Sequence, residues 1–210
     1  MKFTNFINNI SLLESIELGG QTSQFKLVPQ IRIKFSEEKI KNSNPRQASV
    51  LALFYPDEYQ QTRFLLTQRA SYNGTHSAQI SFPGGKSEPN ETLQQTALRE
   101  TEEEVGVQNT HIKIIRKLSE TYIPPSNFLV TPYIGFTNTK PIFTPNHEVS
   151  KIIEVLATDL IDDVNISSVE MQTSYMKNIE VPCFTLNSHV VWGATAMILS
   201  EIKDLLKEVQ

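Results

Sequence analysis

Cysteine, long apolar runs and an excess of one charge sign are all scarce in this sequence. With a single cysteine, Cys183, in 210 residues no intrachain disulfide can form, so stability must come from a packed core. The longest nearly apolar run, 190–199, is half of the ~20 residues that a bilayer-crossing helix needs, and Gly193 and Thr195 interrupt it. No membrane partner is expected. The opening residues Met1-Lys2-Phe3-Thr4-Asn5-Phe6 lack the apolar core of a secretion signal, and with the lone cysteine this predicts a cytoplasmic protein. Nineteen Lys and Arg against 23 Asp and Glu give a net charge of −4, which offers no global attraction for nucleic acid. No nucleic-acid partner is expected, and a polyanionic substrate would need a local cation.

What is present is ordinary globular material, 39% hydrophobic and 9% aromatic, enough for a real core. At roughly 150 residues per domain, one domain with an extension is the expected organisation. Phe3, Phe6, Ile7, Ile10 and Leu13 recur at helical spacing before Gly19-Gly20, and a polar stretch follows at 36–46. Residues 1–45 therefore read as an N-terminal helix and extension packed on a domain spanning 46–210. The apolar helix leaves room for a homodimer. Short apolar runs at 48–55, 64–66, 112–118, 130–136 and 152–156 are of strand size, and 92–105 and 194–209 carry helical stripes. Strands interspersed with a few helices predict a layered α/β protein.

The chemistry lies in Gly84-Gly85-Lys86-Ser87-Glu88-Pro89-Asn90-Glu91 and the helix after it. Pro83-Gly84-Gly85 and Pro89 oppose helix, whereas Thr92 followed three residues later by Gln95 is a capping box, so a loop feeds a helix. On that helix Leu93, Ala97, Leu98, Thr101 and Val105 share one side, and Glu100, Glu103 and Glu104 project from the next. Two carboxylates about 4 Å apart repel by about 4 kcal/mol at an effective dielectric near 20. Such a row is either a solvated helix face or a cation site, and carboxylate oxygens are what Mg²⁺ and Mn²⁺ prefer.

The spacing decides between these. Gly85, five residues, Glu91, seven residues, Arg99-Glu100, two residues, Glu103-Glu104, one residue, then Gly106-Val107 resembles the Nudix box of the Nudix hydrolases. Thr101 stands where the family usually has an apolar residue. The resemblance implies the Nudix fold, an α/β/α sandwich with a mixed sheet between helices. It also implies hydrolysis of a nucleoside diphosphate linked to another moiety. Carried over by position, Glu100, Glu103 and Glu104 would bind Mg²⁺ or Mn²⁺ with Glu91 in support, Arg99 would orient the glutamates, and Gly85 would permit the loop's bend. The general base is open between Glu103 and Glu148.

Upstream, Leu65-Leu66-Thr67-Gln68-Arg69-Ala70, His76, Gln79 and Phe82-Pro83-Gly84-Gly85 are similar to the second signature of the coenzyme A pyrophosphatase branch. Ala70, Gly74 and Ala78 depart from it, standing where Ser, Arg and Gly are usual. Arg69 is either a strand-end charge or a phosphate ligand, and His76 and Gln79 either pair within a loop or meet substrate. Tyr122, Ser126 and Asn127, around Pro124-Pro125, are further substrate candidates. The branch implies cleavage of coenzyme A or its acyl derivatives to 4′-phosphopantetheine and adenosine 3′,5′-bisphosphate. The alternatives are a Nudix pyrophosphatase acting on ADP-ribose, NADH or nucleoside triphosphates, and a non-catalytic nucleotide-binding module.

Overall fold

The structure is a computed structural model that describes residues 1–29, 40, 42–70, 79–173 and 176–209. Strand β1 (Arg46–Pro56) is its spine. Successive side chains alternate between the two faces of the sheet: Ala48, Ala52 and Phe54 enter one core, and Leu51, Leu53 and Tyr55 enter the other. A strand buried on both faces needs no polar alternation, which is why 48–55 reads as one apolar run.

The short helices α1 (Phe3–Asn8), α2 (Ile10–Ser15) and α3 (Gly20–Gln24) precede β1. After it come β2 (Thr62–Arg69), β3 (Ile80–Ser81), β4 (Gly84–Lys86) and helix α4 (Leu93–Val105). Next are β5 (Lys113–Lys117), β6 (Thr121–Ile123), β7 (Phe128–Phe136), β8 (Val149–Leu156) and α5 (Ala157–Ile161). The chain ends through β9 (Ile166–Thr173), β10 (Met176–Leu186), β11 (His189–Val191) and α6 (Gly193–Glu208).

The main sheet runs β3-β2-β1-β7-β5, with β4 paired to β1, β6 to β7 and β8 to β2. It is mixed, because β1 and β7 are parallel while its other pairs are antiparallel. One face is covered by α1, α2 and α6, where Phe6 stacks on Phe54 at 5.0 Å and Phe54 meets Phe64 at 5.6 Å. Aromatic pairs of this kind add about 0.5–1.5 kcal/mol each beyond their area. The opposite face is covered by α4 through Ala97 and Val105. Helices on both sides of a mixed sheet make the expected sandwich.

Two expectations need amendment. The N-terminal helix is two helices, broken at Asn9, whose side-chain amide donates to the Val209 carbonyl at 2.7 Å and ties the break to the end of α6. A second, three-stranded sheet, β11-β10-β9, closes the C-terminal third. Its strand β9 mixes Ser, Glu, Val and Met without a clear apolar face, so the apolar runs did not reveal it. Among the described residues no helix is long and apolar enough to cross a membrane.

The β1–β2 turn is built on Asp57, only 3% exposed. Its carboxylate accepts the Tyr59 and Gln61 amides at 2.9 and 2.8 Å and the Arg63 Nε at 2.9 Å. The N-terminus docks on the same turn, with Phe3 N–H donating to the Gln60 carbonyl at 2.9 Å. Removing the carboxylate strands three donors, so Asp57→Ala is expected to cost about 2–4 kcal/mol in urea unfolding, whereas Glu58→Ala, at an exposed position of the same turn, should leave the urea midpoint close to that of wild type.

Candidate functional site

Helix α4 starts and stops where local chemistry dictates. The Thr92 hydroxyl accepts the Gln95 N–H at 3.2 Å, and the Gln95 side chain accepts the Thr92 N–H at 2.8 Å, a reciprocal capping box. Gly106 ends the helix in the left-handed region at φ 74°, and a Cβ there would lie 2.9 Å from the Thr144 Cβ. Two of the carbonyls left over at the helix end are taken by a later loop: Thr144 N–H donates to Val105 O at 2.9 Å and Asn146 N–H to Glu104 O at 3.0 Å. Thr101 is fully buried and satisfied by the Ala97 carbonyl at 2.7 Å, so its hydroxyl does no harm at an apolar position.

Strand β4 pairs with β1 and also contacts α4, with Gly85 opposite Ser49. A Cβ on Gly85 would sit 2.5 Å from the Glu100 carboxyl carbon. The glycine therefore makes room for the carboxylate itself.

Arg99 binds most of the acidic residues. It donates from Nε and Nη2 to Glu91 at 3.1 and 3.0 Å, and from Nη1 to Glu100 at 2.9 Å and to Glu103 at 3.1 Å. Its forked geometry suits such sharing. Hydrogen bonds from Arg99, against a burial penalty and aided by the Glu88 amide and the Thr96 hydroxyl, hold Glu91 down at about 2. The same bonds, first among them that to Glu91, raise Arg99 above its ordinary value. Burial raises Glu100, with the Arg99 hydrogen bond opposing and the charges of Glu103 and Glu148 adding. Glu104 is pushed up to about 7, first by burial and then by Glu100 and Glu148, with the Gly84 N–H at 3.4 Å working the other way.

Glu148 arrives from the loop after β7. Its N–H donates to the Asn146 side chain at 2.9 Å, its carbonyl accepts the Ala70 N–H at 2.7 Å, and its carboxylate meets Arg69 Nη2 at 3.4 Å. Gln79 is half-buried just before β3, its carbonyl accepting the Arg69 N–H at 3.0 Å. His76 lies outside the described residues. The Tyr122 hydroxyl donates to the Asn127 side chain at 2.9 Å, and the Ser126 hydroxyl reaches the Ile123 carbonyl at 3.5 Å, contacts within their own turn. The structure thus gathers Glu91, Arg99, Glu100, Glu103 and Glu104 around α4 and β4, and brings Glu148 and Arg69 to the same end. Sequence reasoning missed Thr96, which fixes Glu91 at 2.8 Å, and the Thr144 and Asn146 amides. The run Pro145-Asn146-His147 signalled a loop, but nothing in it showed that the loop docks on α4.

Among the described residues no three His, Cys, Asp or Glu side chains converge as a ready metal cluster. The donor set nevertheless suits a hard divalent cation. All its atoms are carboxylate oxygens, and Glu104 is half-buried beside two like charges with one long hydrogen bond. A cation there would relieve the repulsion.

The NUDIX domain model matches residues 45–171. Nudix hydrolase 22, chloroplastic, of Arabidopsis thaliana is 31% identical over 74% of this chain, which spans 53% of that protein, about half its length. The Nudix hydrolase NudL of Yersinia pestis is 30% identical over 66% of this chain and 69% of its own length. Among solved structures, the Nudix hydrolase RenU from M. smegmatis superposes with a TM-score of 0.56 at 16% identity, covering 79% of this chain and 88% of its own. A MutT/nudix family protein from Enterococcus faecalis gives 0.52 at 15% identity, over 89% and 73%. These structures establish the likeness of fold.

The Arg99 web carries a stability prediction. Glu91 has its pKa depressed from 4.5 to about 2, so its share of stability is present above about pH 4.5 and is lost as pH falls through 2. Arg99→Met is expected to lower stability by about 1–3 kcal/mol at pH 7 and to flatten the decline between about pH 5 and 2. Urea midpoints across that range measure both, and parallel curves for variant and wild type would contradict the assignment.

Proposed function

The chain belongs to the Nudix family, and from that premise we propose that it hydrolyses the pyrophosphate bond of a nucleoside diphosphate derivative. One observation carries the reading: Gly85 in β4 leaves room for the Glu100 carboxylate beside half-buried Glu104, with a single arginine spanning Glu91, Glu100 and Glu103. Nudix hydrolases generally use divalent cations. Here Glu100 and Glu104, with Glu103 and Glu91 in support, would hold Mg²⁺ or Mn²⁺. Such a cation neutralises phosphate charge and polarises phosphorus.

The remaining roles fall to the chain's own groups. Arg99 fixes the carboxylates in orientation, and Gly85 leaves space for one of them. Glu148 accepts a proton from the water that attacks phosphorus; this choice over Glu103 is supported by the looser of their two arginine pairs, 3.4 Å from Arg69 against 3.1 Å from Arg99 for Glu103. Water adds across the P–O–P link, the bridging bond breaks, and two phosphoryl products leave. His76 and Gln79, between β2 and β3, are the proposed substrate contacts.

For substrate we propose coenzyme A or its acyl derivatives, giving 4′-phosphopantetheine and adenosine 3′,5′-bisphosphate. The support is the upstream run from Leu65 to Gly85 and its likeness to the coenzyme A branch. ADP-ribose, NADH and nucleoside triphosphates are the competitors, and the departures at Ala70, Gly74 and Ala78 are where specificity would have changed. The single buried cysteine, Cys183, suits a reducing compartment such as the cytoplasm.

Purified protein offered each of these substrates with Mg²⁺ or Mn²⁺ is expected to cleave coenzyme A best. Glu104→Gln should lose about 10³-fold or more of that activity. Equal turnover by Glu104→Gln and wild type at saturating Mg²⁺ would sink the site assignment, and cation-dependent nucleotide binding without hydrolysis would favour a binding module. Gly85→Ala separates site from fold: displacing the tip of Glu100 should cost about 10²-fold in kcat while changing folding stability by less than about 1 kcal/mol.

A further inference from the structure

We propose that Arg69 is a positioning residue for Glu148, holding that carboxylate toward the carboxylates of α4, and that it does not grip substrate phosphate. The inference rests on the hydrolase reading and assigns Arg69 within it.

The backbone around Glu148 is fixed at both ends. Thr144 and Asn146 amides bind the last turn of α4, and the Glu148 carbonyl takes the Ala70 amide at the end of β2. The carboxylate has no such restraint. It is 43% exposed, and its charge helps to raise both Glu100 and Glu104, so like-charge repulsion opposes holding it near them. Among the described residues its one ion pair is with Arg69, and that pair is what opposes the repulsion.

The sheet is irregular where this contact needs it. Along β2 and β8 the register Gln68↔Lys151 would continue to Arg69 opposite Ser150, but it shifts by one residue and sets Arg69 opposite Val149, next to Glu148. The Ser150 hydroxyl donates to the Gln68 carbonyl at 3.0 Å, consistent with Ser150 being the extra residue of a bulge. Bulges re-aim side chains beside active sites. This one moves Arg69 one residue closer to Glu148, in a strand pair that is otherwise regular from Arg63 to Gln68.

The test compares Arg69→Met, Arg69→Lys, Glu148→Gln and the Arg69→Met/Glu148→Gln double variant with wild type, on the best substrate. A positioning role predicts that Arg69→Met lowers kcat about 10- to 100-fold while KM stays within about threefold. Arg69→Lys recovers part of the loss, and the double variant is no slower than Glu148→Gln alone. A tenfold or larger rise in KM with kcat retained, or losses that multiply in the double variant, overturns the assignment and makes Arg69 a substrate contact. A second readout needs neither metal nor turnover. In protein carrying ¹³C at glutamate carboxyls, the Glu148 signal, identified as the one missing from Glu148→Gln, should move in Arg69→Met. A stationary signal overturns the Arg69 contact alone, whereas wild-type inactivity on every substrate overturns the hydrolase reading.

Discussion

Three acidic side chains share one guanidinium, and much of the candidate site follows from that sharing. Glu91, Glu100 and Glu103 come from a loop and from two successive turns of α4, and without Arg99 they would confront one another at short range. The arginine is only 26% exposed, so its pairs with Glu91 and Glu100 are less screened than its pair with the exposed Glu103. Glu104 lies outside this web. Its proton affinity is raised because burial and two neighbouring carboxylates disfavour its charge.

The surrounding architecture turns local chemistry into a shared geometry. The capping box aims the start of α4, Gly106 lets the 144–148 segment dock at its end, and β4 brings Gly85 against Glu100. Each device satisfies an ordinary need, a free helix-end amide or carbonyl or a close backbone approach, and each also sets the position of a carboxylate. The β2–β8 irregularity belongs with them: a one-residue shift in a ladder places a cation beside Glu148.

Much of this was legible in the residues. The capping box at Thr92 and Gln95, the apolar stripe through Ala97, Thr101 and Val105, and the doubly buried run in β1 all depend on contacts a few residues apart or on a simple period. The order of glycine, glutamates and arginine pointed to the family before any fold was in view. Less legible were the break at Asn9 and the second sheet. Asn9 answers to the carbonyl of Val209, some 200 residues away, and β9 lacks a periodic apolar face because much of it is exposed.

By itself the sequence determined the family, the loop-to-helix transition and which acidic residues line α4, because spacing along a helix fixes which side chains share a face. Only the tertiary structure decided their inequality: that Arg99 takes Glu91, Glu100 and Glu103 while Glu104 is left beside Glu148. It also decided that Glu148 and Arg69, 79 positions apart, meet. Burial, register shifts and loop docking are set by the whole chain at once, and charge interactions depend on distances in space that spacing along the chain does not contain.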